Sequence, residues 1–275
     1  MVAVMTAAAS KVGTLSYVKV TRPRDNVAQI TISRPEKRNA LDQSGWSDLG
    51  KAFRDLAGDR SVRVVILAGT DGSFCAGDDI LAFRAAQTDP ARRKIYWDNI
   101  MEAYAAVSAI SVPVIAAVDG PCYGGGCTLA LRCDFRIAGE RASFAVPPAK
   151  LGLVYPADST ALLVTAVGIS TAKYMLYSGN SLDMRRAVAS GLALAATADN
   201  GDVVTSALEL AEAFSANAPI AIAAAKMACD AIAVGELSAI EGKIRALSDL
   251  ADRSKDYKEG AAAFAAKRRP VFTGT

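Results

Sequence analysis

No histidine occurs anywhere in the 275 residues, and that absence removes more chemistry than any other feature. Ser-His-Asp and Cys-His catalysis need an imidazole base, and most zinc and non-haem iron sites need an imidazole ligand. Acid–base work is left to carboxylate, tyrosine, lysine, cysteine or bound water. Cysteine is sparse as well: Cys75, Cys122, Cys127, Cys133 and Cys229 form an odd set with no CxxC pair. The pattern predicts free thiols in a reducing compartment, hence a cytoplasmic protein with no metal site. Neither G-x-G-x-x-G nor G-K-[ST] is present, so a dinucleotide or P-loop site fits poorly. The net charge is only +3, without a long basic stripe, which argues against a nucleic-acid partner and suits a small polyanionic substrate. The longest apolar run, residues 105–118, is interrupted by Pro113 and falls well short of the ~20 residues of a membrane span. Residues 1–11 are alanine-rich without the basic flank of a signal peptide, and are expected to be a frayed terminus.

What remains is a chain with 52% hydrophobic and 21% charged residues, enough for a full core in one or two domains. The first half alternates strands and helices. Residues 18–20 and 27–32 alternate apolar and polar positions as a half-buried hairpin does, and 44–56 and 92–110 carry helical spacing. Residues 62–68 and 113–118 are short β-branched runs that predict buried strands, and 135–138 and 142–144 predict two more. From about Ser159 onward helical patterns dominate: 159–167, 170–176, 184–190, 203–216, 219–234, 236–253 and 255–267. The division expected is an α/β body over residues 1–195, holding the site, and a helical oligomerisation region over 196–275.

Glycine appears twice where a strand gives way to a helix, at Gly77 and at Gly124-Gly125-Gly126. Glycine permits positive φ and close backbone approach, and a helix start leaves its first N–H groups unpaired. Two such donors aimed at one point would hold developing negative charge. Tight turns and close helix packing are the simpler use of the same glycines.

Five segments in register carry a resemblance: Arg34-Pro35-Glu36-Lys37-Arg38-Asn39-Ala40-Leu41, Phe74-Cys75-Ala76-Gly77-Asp78-Asp79-Ile80, Gly124-Gly125-Gly126-Cys127, Cys133-Asp134-Phe135-Arg136-Ile137-Ala138 and Leu151-Gly152-Leu153. Over residues 15–270 the chain resembles the enoyl-CoA hydratase/isomerase (crotonase) family. The resemblance implies an α/β spiral of ββα units with a helical C-terminal region, assembled as a homotrimer or dimer of trimers. It implies an acyl-CoA thioester substrate and no cofactor beyond the coenzyme A that the substrate carries. It implies backbone N–H donors at Asp78 and Gly125 that polarise the thioester carbonyl. Ala40, Ala76, Asp79, Ile80 and Thr128 would line the substrate site. Lys37 and Arg38 would approach the CoA phosphates, or form a solvated turn; the basic Lys267-Arg268-Arg269 run carries the same two readings. The Asp78 carboxylate is expected to point away from the developing charge.

The same resemblance exposes a break. Family hydratases handle water with two glutamates, and the matching positions here are Thr128 and Pro148. Neither is a general base at neutral pH, so ordinary hydration is in doubt. Three functions stay open: a lyase or isomerase working through a thioester enolate, a decarboxylase of a malonyl-type thioester, and a non-catalytic binder of CoA esters. The segment from Pro148 to Tyr155 resembles that of methylmalonyl-CoA decarboxylase, which would aim Tyr155 at the departing carboxylate; a half-buried loop tyrosine is the alternative. Asp158 reads as a helix N-cap or, more boldly, as a base. Asp134 reads as structural.

Overall fold

The computed structural model describes residues 17–198 and 201–275; the expected frayed terminus at 1–11 lies outside them. Strands β1 (Val18–Arg24) and β2 (Val27–Ile32) pair as an antiparallel hairpin. Helix α1 (Gln43–Ala57) follows, capped by the Asp42 carboxylate on the Gly45 N–H. Then come β3 (Val64–Gly69), α2 (Ile80–Gln87), α3 (Pro90–Ala109), β4 (Val114–Val118), β5 (Pro121–Tyr123), α4 (Gly125–Arg132), β6 (Phe135–Ala138) and β7 (Ser143–Ala145). The chain continues through α5 (Ala157–Ser178), β8 (Leu182–Asp183), α6 (Met184–Ala189), β9 (Ala195–Ala196), α7 (Val203–Ser215), α8 (Pro219–Ala233), α9 (Leu237–Arg253) and α10 (Lys255–Ala265).

One unit repeats. β4, β5 and α4, and then β6, β7 and α5, each send one strand to a large sheet, the next to a small sheet, and follow with a helix. The large sheet runs β1-β2-β3-β4-β6-β9, parallel from β2 onward, and the small sheet runs β5-β7-β8. The segment after β3 begins the same way, for Cys75 forms a parallel bridge with Cys122 of β5. The bridge sets the register of the site: Asp78 stands three residues past Cys75, and Gly125 three past Cys122.

The β-branched runs of β3 and β4 are buried on both faces, as parallel strands between helices must be. One face packs with α1 and α3 around Trp46, Phe53, Phe74 and Tyr96. The other packs with α7 through Val203, Ala207 and Ala211. α7 therefore shares the core of the α/β body, and α8 to α10 follow it. α5 is interrupted at Gly168, whose φ is 74°, between the two helical runs expected at 159–167 and 170–176. By length and composition alone α5 could cross a bilayer, yet its Leu163, Val167, Ala172 and Met175 are buried in the protein core. The helix α2 was not legible in the sequence: it is short and leaves Ile80 and Leu81 exposed, so it lacks the apolar stripe that betrays α1. The last helix ends at Ala265 rather than 267, because Lys267 takes a left-handed φ of 52°.

Candidate active site

Two loop-to-helix junctions meet at the site. The first, Ser73 to Asp79, is pinned by Cys75 N–H to the Pro121 carbonyl at 3.0 Å, by Leu41 N–H to the Gly77 carbonyl at 2.8 Å, and by Asp79 N–H to the Leu41 carbonyl at 2.8 Å. The second is the start of α4. Gly77 has φ 92°, and a Cβ there would stand 2.7 Å from the Tyr123 carbonyl and 3.0 Å from the Gly125 nitrogen. A Cβ on Gly126 would stand 2.1 Å from the Cys75 carbonyl oxygen. Glycine at these two positions is therefore a steric requirement of close approach. Neither the Asp78 N–H nor the Gly125 N–H donates to a backbone carbonyl among the described residues. The Gly125 N–H stays available to a ligand at the N-terminus of α4, and the Asp78 N–H is engaged only by its own carboxyl, which a ligand oxygen can displace.

The Asp78 side chain corrects an expectation. It does not point away. Its Oδ1 accepts the Trp46 indole N–H at 3.0 Å, and its Oδ2 lies 3.0 Å from where a Gly125 Cβ would be. Burial raises its pKa to about 6, opposed by hydrogen bonds from Trp46 and from Asp78's own backbone N–H. Between the pKa of an ordinary aspartate, 3.8, and about 6, the unfolded chain has lost its proton while the folded protein still holds it. Stability therefore falls as pH rises through that window, and the deficit is complete above it. Asp78→Asn, which keeps an acceptor for Trp46, is expected to stabilise the fold by about 3 kcal/mol near pH 8 and by only about 0.5 kcal/mol near pH 4. Urea unfolding of both proteins at the two pH values checks this; an equal difference at both would mean the carboxyl is not the cause.

Around this carboxyl stand groups that sequence reasoning missed. Tyr104 of α3 donates to the Gly125 carbonyl at 3.1 Å and packs edge-on against Trp46, with centroids 5.3 Å apart. Arg132 of α4 lies over the Tyr104 ring at 4.7 Å and pairs with Asp158, while its Nε is buried without a partner. Only Arg132 left a signal, four residues after Thr128 and so on the same helix face. Trp46 and Tyr104 arrive from α1 and α3, and nothing local marks a core aromatic as lining a site.

Thr128 gives its hydroxyl to the Gly124 carbonyl at 3.3 Å and shares a 2.5 Å hydrogen bond with the Tyr155 hydroxyl. Burial first, then Cys127, holds the Tyr155 phenol protonated well above its ordinary range, and burial does the same to Tyr104. Burial also pushes the Cys75 thiol up to about 12. These groups donate hydrogen bonds and do not act as bases. Pro148 opens a 3-10 turn, Pro148–Leu151, and supplies no polar atom at the second glutamate position.

The other sequence candidates fall into place as follows. Asp79 caps α2, accepting from the Leu81 and Ala82 N–H groups, and pairs with Arg34 at 3.1 Å. Lys37 is exposed and 3.9 Å from Asp79, Arg38 is exposed with φ 51°, and Ala40 is buried beside them. Ala76 N–H donates to the Arg38 carbonyl at 3.0 Å, tying that turn to the site. Asp158 corrects a second expectation: α5 starts at Ala157, so Asp158 sits in the first turn and is not the N-cap. Its pKa is lowered, since the Ser159 N–H and Arg132 outweigh burial. Asp134 accepts from the Val114 N–H at 2.7 Å and from Lys226 at 2.8 Å, joining β4 to α8. Arg268 is held by Glu259.

The comparisons agree with this geometry. The family model for enoyl-CoA hydratase/isomerase matches residues 22–275. The 2,3-dehydroadipyl-CoA hydratase of Escherichia coli is 34% identical over 94% of this chain and 100% of that protein. A probable mitochondrial enoyl-CoA hydratase 2 of Arabidopsis thaliana is 33% identical, covering 94% of this chain and 86% of that one. A solved structure from Hyphomonas neptunium, a putative enoyl-CoA hydratase/isomerase family protein, superposes with a TM-score of 0.87 at 31% identity, over 94% and 98% of the two chains. The chain belongs to the enoyl-CoA hydratase/isomerase family and has the crotonase fold. The family acts on acyl-CoA thioesters.

Proposed function

We propose that this protein is an enzyme that turns over an acyl-CoA thioester through its enolate, held by the backbone N–H groups of Asp78 and Gly125, without the two-glutamate handling of water. One observation carries the reading: neither donor is taken by a backbone carbonyl and the two junctions lie against each other, while the glutamate positions hold Thr128 and Pro148. Such donors are typically worth roughly 3–4 kcal/mol each at a developing oxyanion. Mass spectrometry of a mixed acyl-CoA panel incubated with the protein tests it. A product differing from its substrate at the acyl carbons supports it. Ligand-induced thermal stabilisation with no turnover of any thioester would make the protein a binder. Rapid loss of crotonyl-CoA's enoyl absorbance would restore ordinary hydration. The homotrimer or dimer of trimers belongs to the same proposal, supported by exposed Ile232, Val234, Tyr257 and Phe264 on the C-terminal helices.

The Thr128–Tyr155 hydrogen bond, with Arg132 one turn on, favours decarboxylation of a malonyl-type thioester as a second reading. The bond between Cα and the carboxylate carbon would break and CO₂ would leave. Its electron pair would pass into the enolate, and a proton would return to Cα. No base is needed for the first step. Methylmalonyl-CoA should then yield propionyl-CoA, and Tyr155→Phe, which removes a phenol able to turn its proton from Thr128 to the departing carboxylate, should slow that at least tenfold. An unchanged rate in the variant removes Tyr155 from the chemistry.

A further inference from the structure

We infer that the Asp78 carboxyl serves in its neutral form as a third hydrogen-bond donor to the thioester oxygen, beside the two backbone N–H groups. The inference rests on the acyl-CoA reading above and adds a side chain to it.

The geometry sets the problem. Asp78 places its carboxyl against its own backbone N–H, the donor that the thioester oxygen must reach, and against Gly125, which carries the other. Oδ1 is engaged by the Trp46 N–H, and the carboxyl's other hydrogen bond comes from the Asp78 backbone N–H. An ionised Oδ2 would face the substrate oxygen with lone pair against lone pair. A protonated Oδ2 presents an O–H to it instead.

The surroundings favour the protonated form. No salt bridge among the described residues involves Asp78, whereas the neighbouring Asp79 has Arg34 and Lys37. The titratable groups facing Asp78 are Cys75 on its own loop and Tyr96 and Tyr104 on α3, all neutral. α1 offers the Trp46 indole, and α4 offers Gly125, with the hydroxyl of Thr128 further along its first turn. α4 also carries Arg132, whose charge is matched by Asp158, and no cation forms an ion pair with Asp78 among the described residues. Burial already lifts the free carboxyl to about 6, and a ligand oxygen accepting from it moves its titration further upward. A carboxylic acid kept neutral in an apolar site so that it can donate is an established way to bind an oxyanion.

Two behaviours follow. Above about pH 6, binding must take up a proton. The apparent affinity must also follow the fraction of protein that carries it, giving roughly 100-fold weaker binding near pH 8 than near pH 5.5. Calorimetric titration of the full chain with butyryl-CoA, a saturated thioester that cannot be hydrated, tests both. It is run near pH 7.5 in two buffers of different ionisation enthalpy, and again near pH 5.5 and pH 8. The expected result is uptake approaching one proton per site, with affinity rising as pH falls. In Asp78→Asn, whose amide donates at every pH, uptake should vanish and affinity should become independent of pH. Should that variant misfold, the wild-type proton count decides alone. Binding without proton uptake, at equal affinity across pH, overturns this inference and leaves the acyl-CoA reading standing. Absence of butyryl-CoA binding at every pH overturns both.

Discussion

Replacing Gly125 with proline is expected to lower turnover of whatever acyl-CoA the enzyme accepts by about 100- to 1,000-fold, the usual cost of losing one oxyanion donor. Proline removes the N–H itself. It does so at the first residue of α4, a position where helices accept proline because that N–H has no intrahelical partner. The helix therefore survives, and the loss belongs to the site. The ring carbons bring one complication: a Cβ at Gly125 meets Asp78 Oδ2 at 3.0 Å and Trp46 and Tyr104 at 3.2 Å. Gly125→Ala introduces the same Cβ and keeps the donor. Steady-state kinetics of the pair separates the two effects. Alanine should retain much of the activity that proline abolishes; equal losses would mean that crowding against Asp78, rather than the missing donor, is responsible.

Gly126→Ala is expected to lower the stability of the fold by more than about 3 kcal/mol, beyond the usual range for an added methyl in a core. Its Cβ would stand 2.1 Å from the Cys75 carbonyl oxygen and 2.8 Å from the Cys75 carbonyl carbon. These are backbone atoms, and Cys75 is fixed by its bridge to Cys122, so no flexible side chain can yield. The two junctions would have to part, and the site would open with them. Gly152→Ala makes the contrast. Gly152 has φ 66° with nothing within 4 Å of a Cβ, so only the left-handed backbone penalty of about 1–2 kcal/mol applies. Thermal unfolding of the two variants should rank them in that order by a margin of several degrees. The reverse order would mean that the junctions are not in the close contact described.

Both results turn on how separate stretches of chain come together, and there the legibility of the sequence divides. The strands β2, β4 and β6 and the helices α1, α3, α7, α8 and α9 were predicted to within a residue or two, because each has a local cause: a β-branched run, a 3.6-residue apolar repeat, or a cap. The glycines at 77 and 124–126 marked close backbone approach, and the absence of any imidazole excluded whole mechanisms without reference to a fold. Helix α2 and the two-residue strands β8 and β9 lacked such a pattern. The two strands exist through tertiary pairing, and α2 has the Asp79 cap but no apolar stripe.

The site divides the same way. The family resemblance, carried by local motifs, assigned an N–H at Asp78 and another at Gly125. That the two meet depends on the parallel bridge between Cys75 and Cys122, which advances both chains by the same three residues. Trp46 and Tyr104 enter the site from α1 and α3 because those helices pack on one sheet face, a fact distributed over the whole core. The direction of the Asp78 side chain is the sharpest case. From sequence, a carboxylate beside an oxyanion donor was expected to turn away, since like charges repel. In the fold the indole of Trp46 draws it inward, and burial raises its pKa to about 6. A residue's charge is a property of its surroundings, and those surroundings come from α1, α3 and α4, three elements distant in sequence.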